Sequence, residues 1–165
     1  PEAAGFGSPT RGICAGGYAA LSPFAASDVI DYVTIASTGD ATDFGNLTLA
    51  RQSSGGASSS TRGIIAGGYV GPNSYVDRID YVTIASTGDA IDFGDTITGK
   101  HGMFSGNCSN QILGVWVGGT TANGTYTNTI EYTTIASAGN AKDFGDLTYA
   151  TPYGSALTDC HGGIS

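Results

Sequence analysis

Ile30-Asp31-Tyr32-Val33-Thr34-Ile35-Ala36-Ser37-Thr38-Gly39-Asp40 decides the fold, because the chain repeats it twice. It returns as Ile79-Asp80-Tyr81-Val82-Thr83-Ile84-Ala85-Ser86-Thr87-Gly88-Asp89, and again as Ile130-Glu131-Tyr132-Thr133-Thr134-Ile135-Ala136-Ser137-Ala138-Gly139-Asn140. A period of roughly 50 residues belongs to β-propeller blades and similar arrays, whose units cannot bury both faces alone. Each copy is rich in β-branched and aromatic residues, which favour strands.

The middle unit shows the rest of the pattern. Arg51 to Ser58 is a small-residue segment, followed by a turn at Ser59-Ser60-Thr61. Arg62-Gly63-Ile64-Ile65-Ala66-Gly67-Gly68-Tyr69 is a short apolar run bounded by glycine, the mark of a buried strand. A polar loop over Val70 to Tyr75 leads into a strand over Val76 to Ala85. Ser86-Thr87-Gly88-Asp89 turns the chain, and Ala90 to Thr98 reads as a fourth, outer strand. No stretch sustains helical periodicity. The landmarks recur in register: double glycines at Gly16-Gly17, Gly67-Gly68 and Gly118-Gly119, and Asp-Phe-Gly steps at Asp43-Phe44-Gly45, Asp92-Phe93-Gly94 and Asp143-Phe144-Gly145. The expected architecture is all-β, three four-stranded antiparallel blades over about 3–48, 51–98 and 102–148. An extra strand over about 150–160 closes a ring or is exchanged between copies. The apolar double-glycine strand is expected nearest the crowded axis, and the aromatics between blades.

Composition narrows the partners. The net charge is −8 and no Lys/Arg cluster exists, which sets nucleic-acid binding aside. No apolar run approaches the length needed to span a membrane. Charged residues are only 12% of the chain, so Ser, Thr, Asn, Gly and Tyr must cover the surface, as suits a virion or extracellular protein. The chain begins at Pro1, as a processed product or part of something longer would. An extra first-type strand without a second strand after it is expected to complete a blade begun elsewhere. The expected partners are therefore upstream blades of the same protein or a second copy, since an open apolar edge is normally covered.

Cys14, Cys108 and Cys160 form no CxxC pair or metal-ligand spacing and read as small buried hydrophobes. A hairpin turning near Thr61 sets Ala57 opposite Ile65. By that register Cys108 and Cys160 take the Ala57 position and Cys14 the Ile65 position. A disulfide between Cys14 and Cys160 then requires strand exchange, because Phe6 fills the place opposite Cys14.

Catalytic chemistry finds little footing. The thrice-repeated Asp-Phe-Gly lacks the phosphate loop and paired lysine of a kinase and reads as structure. His101 and His161 lie in first-strand segments of different units without a nucleophile or metal arrangement. No enzyme activity and no cofactor are expected. The turns Asp40/Asp43/Asn46, Asp89/Asp92/Asp95 and Asn140/Asp143/Asp146 space oxygen ligands that could hold calcium. Capping of backbone amides by Asp and Asn is the simpler account. Asn46, Asn107 and Asn123 open Asn-x-Ser/Thr acceptors, which chance accounts for. Tyr75, Tyr126, Tyr149 and Tyr153 lie in loops or the terminal strand, where a ring with an outward hydroxyl suits contact with a glycan or protein.

The succession of small-residue strand, apolar strand ending in Gly-Gly, strand with central tyrosine (Tyr32, Tyr81, Tyr132) and aromatic step resembles the kelch repeat. Phe44, Phe93 and Phe144 stand where that repeat usually carries Trp. Some kelch-type propellers are copper oxidases, but the tyrosines here repeat as structure. The wording from Asp31 to Gly45, with the His161-Gly162-Gly163 tail, further resembles tail-fibre and virion structural proteins of tailed phages of marine cyanobacteria. That resemblance implies a virion structural protein with a host-attachment role and brings no catalytic residues. An extracellular filament or adhesin subunit and a carbohydrate-binding propeller lectin remain as alternatives.

Overall fold

The strand over Arg78–Thr83 pairs along both edges, and each repeat builds a sheet around its equivalent. The structure is a computed structural model that describes residues 2–21, 24–72, 74–102 and 107–152. The first unit contains β1 (Ala4–Gly7), β2 (Arg11–Ala15), a hairpin of β3 (Tyr18–Leu21) and β4 (Phe24–Ala26), β5 (Val29–Thr34) and β6 (Thr42–Asn46). The second contains β7 (Gly55–Ser58), β8 (Arg62–Ala66), a hairpin of β9 (Tyr69–Gly71) and β10 (Ser74–Tyr75), β11 (Arg78–Thr83) and β12 (Ile91–Asp95). The third follows β13 (Lys100–His101) and contains β14 (Asn107–Ser109), β15 (Leu113–Val117), β16 (Thr120–Thr121), β17 (Thr129–Thr134) and β18 (Lys142–Asp146).

Three antiparallel four-stranded sheets result, in the orders β1-β2-β5-β6, β7-β8-β11-β12 and β14-β15-β17-β18. The architecture is all-β and propeller-like, with the sheets inside the spans 3–48, 51–98 and 102–148. Of the expected terminal strand over 150–160, only 150–152 belong to the described residues.

Alternating side chains give each sheet two apolar faces, and neighbouring sheets bury them together. Ile13, Ala15, Ile30, Phe44 and Leu47 of the first sheet region meet Ile65, Val82, Ile84 and Ala90 of the second. Ala57, Ile64, Ala66, Ile79 and Phe93 of the second meet Trp116 and Ile135 of the third. Backbone hydrogen bonds tie the sheets as well. Gly88 N–H donates to Phe44 O at 2.7 Å and Ala90 N–H to Asn46 O at 2.8 Å. Gly139 and Ala141 repeat these bonds to Phe93 O and Asp95 O, each at 2.7 Å.

Three expectations need correction. The first strands, not the double-glycine strands, pack most directly from sheet to sheet, β1 against β7 and β7 against β14. Small residues permit this: a Cβ on Gly56 would lie 2.8 Å from Gly5 O. The double glycines instead end β8 and its equivalents, with Gly67 at φ 62° and Gly68 at φ 130°, and Gly68 N–H donates to Lys100 O in the linker crossing it. The polar loop over 70–75 carries the hairpin β9–β10. Finally, Ala57 pairs with Ile64, and Gly5, not Phe6, lies opposite Cys14. The turn bond Ser59 N–H to Arg62 O makes the hairpin one residue tighter than the sequence suggested.

Candidate functional site

A buried charge pair locks the linkers before the second and third sheets to the sheet that follows. Arg51 lies in the linker before β7, and Nη1 sits 3.1 Å from Asp80 Oδ2 with both side chains fully buried. Asp80 also accepts from Thr48 N–H at 3.1 Å and Thr48 Oγ1 at 2.7 Å. Burial lowers the Arg51 pKa, and the adjacent Asp80 carboxylate opposes that shift. The third sheet repeats the device: Lys100 Nζ meets Glu131 Oε1 at 2.5 Å, and Ile97 N–H donates to Glu131 Oε2 at 3.0 Å. Asp31 occupies the same place in β5, and no cation faces it among the described residues. Thr151 takes the Arg51 and Lys100 position after the third sheet, since its carbonyl accepts from Gly119 as those of Arg51 and Lys100 accept from Gly17 and Gly68.

The two outer faces carry positions equivalent to those of the inner ones, with no neighbouring sheet among the described residues. Ile35 is 60% exposed, whereas its equivalents Ile84 and Ile135 are each 1% exposed. Val33 is 42% exposed against 3% for Val82. Cys14 is exposed where Ile65 and Trp116 are buried. On the opposite face Phe144 is 60% exposed, while Phe44 and Phe93 are 3% exposed. All three phenylalanines keep the edge-on contact with their tyrosine, at 6.0, 5.9 and 5.8 Å between ring centroids. Arg11 and Arg62 reach forward to Ile84 O and Ile135 O of the following sheet while lying over Tyr32 and Tyr81. Leu113 stands at that position in the third sheet.

The acidic turns join neighbouring sheets. Asp89 Oδ1 accepts from Asn46 N–H at 2.9 Å and from Asn46 Nδ2 at 3.3 Å, and Asn140 Oδ1 accepts from Asp95 N–H at 3.1 Å. Asp92 and Asp143 cap the amides of Gly94 and Gly145 at the bulges of β12 and β18. Asp40, Asp43 and Asp146 are exposed. Among the described residues no three His, Cys, Asp or Glu side chains converge on one point. Of the glycosylation triplets, Asn46 is engaged as above, Asn123 lies in an exposed turn and Asn107 begins β14. Cys14 and Cys108 are free thiols, and Cys160, Tyr153 and His161 lie outside the described residues. Desolvation raises both described thiols, with Asp31 adding to the rise at Cys14, the reverse of an activated nucleophile.

Among the expected contact tyrosines, Tyr126, which bridges Thr120 through the backbone, and Tyr149 are exposed. Tyr75 belongs to a cluster the sequence reading did not assemble. It stacks on His101 at 4.7 Å and 22°, and Tyr69 meets both rings, at 5.4 and 5.7 Å. These rings line a pocket of about 300 Å³ with Glu2, Gln52 and Ser53. Gln52 and His101 each follow the buried cation of their linker, and that positional match was the signal available in the sequence; Glu2 matches Ser53 instead. Burial lowers the His101 pKa, only partly countered by the Glu2 carboxylate, which favours a neutral ring at pH 7.

No family model and no curated protein matches the chain. Among solved structures, that of YjhT superposes with a TM-score of 0.73 at 8% sequence identity, over 92% of this chain and 53% of the other. The likeness is one of fold, and the chain spans about half the length of that structure.

Proposed function

We propose that the chain is a non-enzymatic structural protein of a virion, a tail fibre or related appendage with a host-attachment role, built of kelch-type blades and completed by further blades. The observation that carries the assembly part is unequal burial at equivalent positions. Ile35 and Phe144 are exposed on opposite outer sheets, although their counterparts fill the inner interfaces. Each outer face retains half of an interface that the chain forms twice internally, and such faces are normally covered. The virion part is supported by the resemblance of the repeat wording.

Sedimentation equilibrium, with the intact subunit mass beside it, tests the assembly. A closed dimer supports a shared six-blade ring, and open-ended polymers support a filament. A stable monomer at high concentration overturns completion by a second copy, and a heavier natural subunit locates the missing blades in the same chain. Antibody labelling of purified phage particles tests the virion assignment, and unlabelled particles overturn it. A second reading, an extracellular filament or adhesin subunit, draws on the same open faces and is favoured by polymers that form without any particle.

A further inference from the structure

We propose that the pocket between the linkers into the first three sheets and the β9–β10 hairpin binds a neutral saccharide. The inference adds a ligand class to the attachment reading without resting on it, because every residue used lies in the described linkers and the β9–β10 hairpin. Three independent features meet there. The first is the aromatic wall. Tyr75 and His101 lie nearly parallel at 4.7 Å, and Tyr69 closes the wall at 65° to Tyr75. The stacked pair gives the pocket lining flat aromatic surface, which suits the apolar face of a pyranose ring. A cage for a methylated ammonium would instead need ring faces converging on one point.

The second feature is polar. Gln52 lines the pocket, is 4% exposed, and has no hydrogen-bond partner for its Oε1 among the described residues. A buried amide oxygen left without a donor is costly, and a hydroxyl-rich ligand provides donors. Glu2 adds a carboxylate acceptor, oriented by Ser53 Oγ donating to its Oε2 at 2.5 Å.

The third is backbone strain. Among the described residues, Glu2 (φ 72°) and Ser53 (φ 56°) are the non-glycine positions in the left-handed region. They hold each other there, as Ser53 N–H also donates to Glu2 O at 2.8 Å. Strain of this kind concentrates at ligand sites. Charge then selects within the saccharides. Neither Lys nor Arg lines the pocket, while the Glu2 carboxylate does, so a phosphate, sulfate or acidic sugar finds repulsion in place of a counter-charge.

The test is saturation-transfer NMR on the whole chain with the methyl glycosides of glucose, galactose and mannose. Sialic acid serves as the anionic probe and choline as the cationic one. At least one neutral glycoside is expected to bind saturably in the millimolar range, with affinity reduced about tenfold or more by Tyr75→Ala and by Gln52→Met. Circular dichroism melts confirm that each variant folds, and the more conservative Tyr75→Leu replaces any variant that does not. Phe144→Asp, on the outer face, leaves binding unchanged, which separates this site from the assembly reading. The proposal is overturned if no neutral glycoside binds, if folded pocket variants bind as well as the parent, or if sialic acid or choline binds more tightly than every neutral glycoside.

Discussion

Arg51 shows how much a single position depends on its partner. It is fully buried, paired with Asp80 and hydrogen bonded through Nη2 to Ile65 O at 3.2 Å. Arg51→Ala leaves the Asp80 carboxylate buried with only Thr48 to satisfy it. A loss of about 3 kcal/mol in urea unfolding is the expected outcome, and the double variant Arg51→Met/Asp80→Leu recovers most of it, because removing both charges removes the uncompensated one. His101 gives the pH dependence. Its folded pKa is depressed, first by burial, so the unfolded chain takes up the proton more readily. The His101 contribution to stability is therefore complete above about pH 6.5 and declines as the pH falls below that value. Thermal melts between neutral and mildly acidic pH should show the parent losing more stability on acidification than His101→Phe does.

At the scale of the element, the Asp-Phe-Gly step is a β-bulge in each fourth strand, placing two residues against one on the neighbouring strand. Gly94 has φ 146°, and a Cβ there would lie 2.6 Å from the Gly139 backbone of the next sheet. Gly145 has φ 141° with nothing within 4 Å of such a Cβ. Gly94→Ala is expected to cost about 3 kcal/mol and Gly145→Ala about 1 kcal/mol, since only the former adds a backbone clash to the φ strain. Equal losses in denaturant titrations would count against this reading. The strand positions themselves were legible, because alternation of β-branched residues and the turn residues after them are local signals. The short hairpins β3–β4 and β9–β10 were not, since strands of two to four residues carry too little pattern to stand out from a polar loop.

The whole molecule is three copies of one sheet in which the middle one alone has described neighbours on both faces. Under the proposed completion by a second copy, Ile35→Asp and Phe144→Asp are each expected to abolish self-association, while Ile84→Asp unfolds the chain, because the same residue type is exposed in one place and core in the other. Sedimentation and melting curves on the three variants check this. A second copy docking in register would bring Thr151, not a cation, to Asp31. Asp31→Asn should therefore tighten association by removing a carboxylate that would be buried without a counter-charge. Weaker association of that variant would show that the covering element carries a Lys or Arg, as the inner linkers do.

The sequence by itself determined the repeat, its period, the antiparallel strand character of each unit and the positions of its turns. All of these follow from backbone preferences and side-chain alternation, which act over a few residues and were written three times over. Tertiary structure alone decided which copies of the repeated residues are core and which are surface. Ile35 and Ile84, or Phe44 and Phe144, share their local sequence and differ only in whether another sheet lies against them. It also decided that Asp80 and Glu131, within otherwise ordinary strand repeats, are buried ion-pair partners of linker residues. The same holds for the pocket, which Glu2, Gln52 and His101 enter from successive linkers. Burial and charge pairing depend on what the rest of the chain places alongside a residue, and no local pattern in the sequence carries that information.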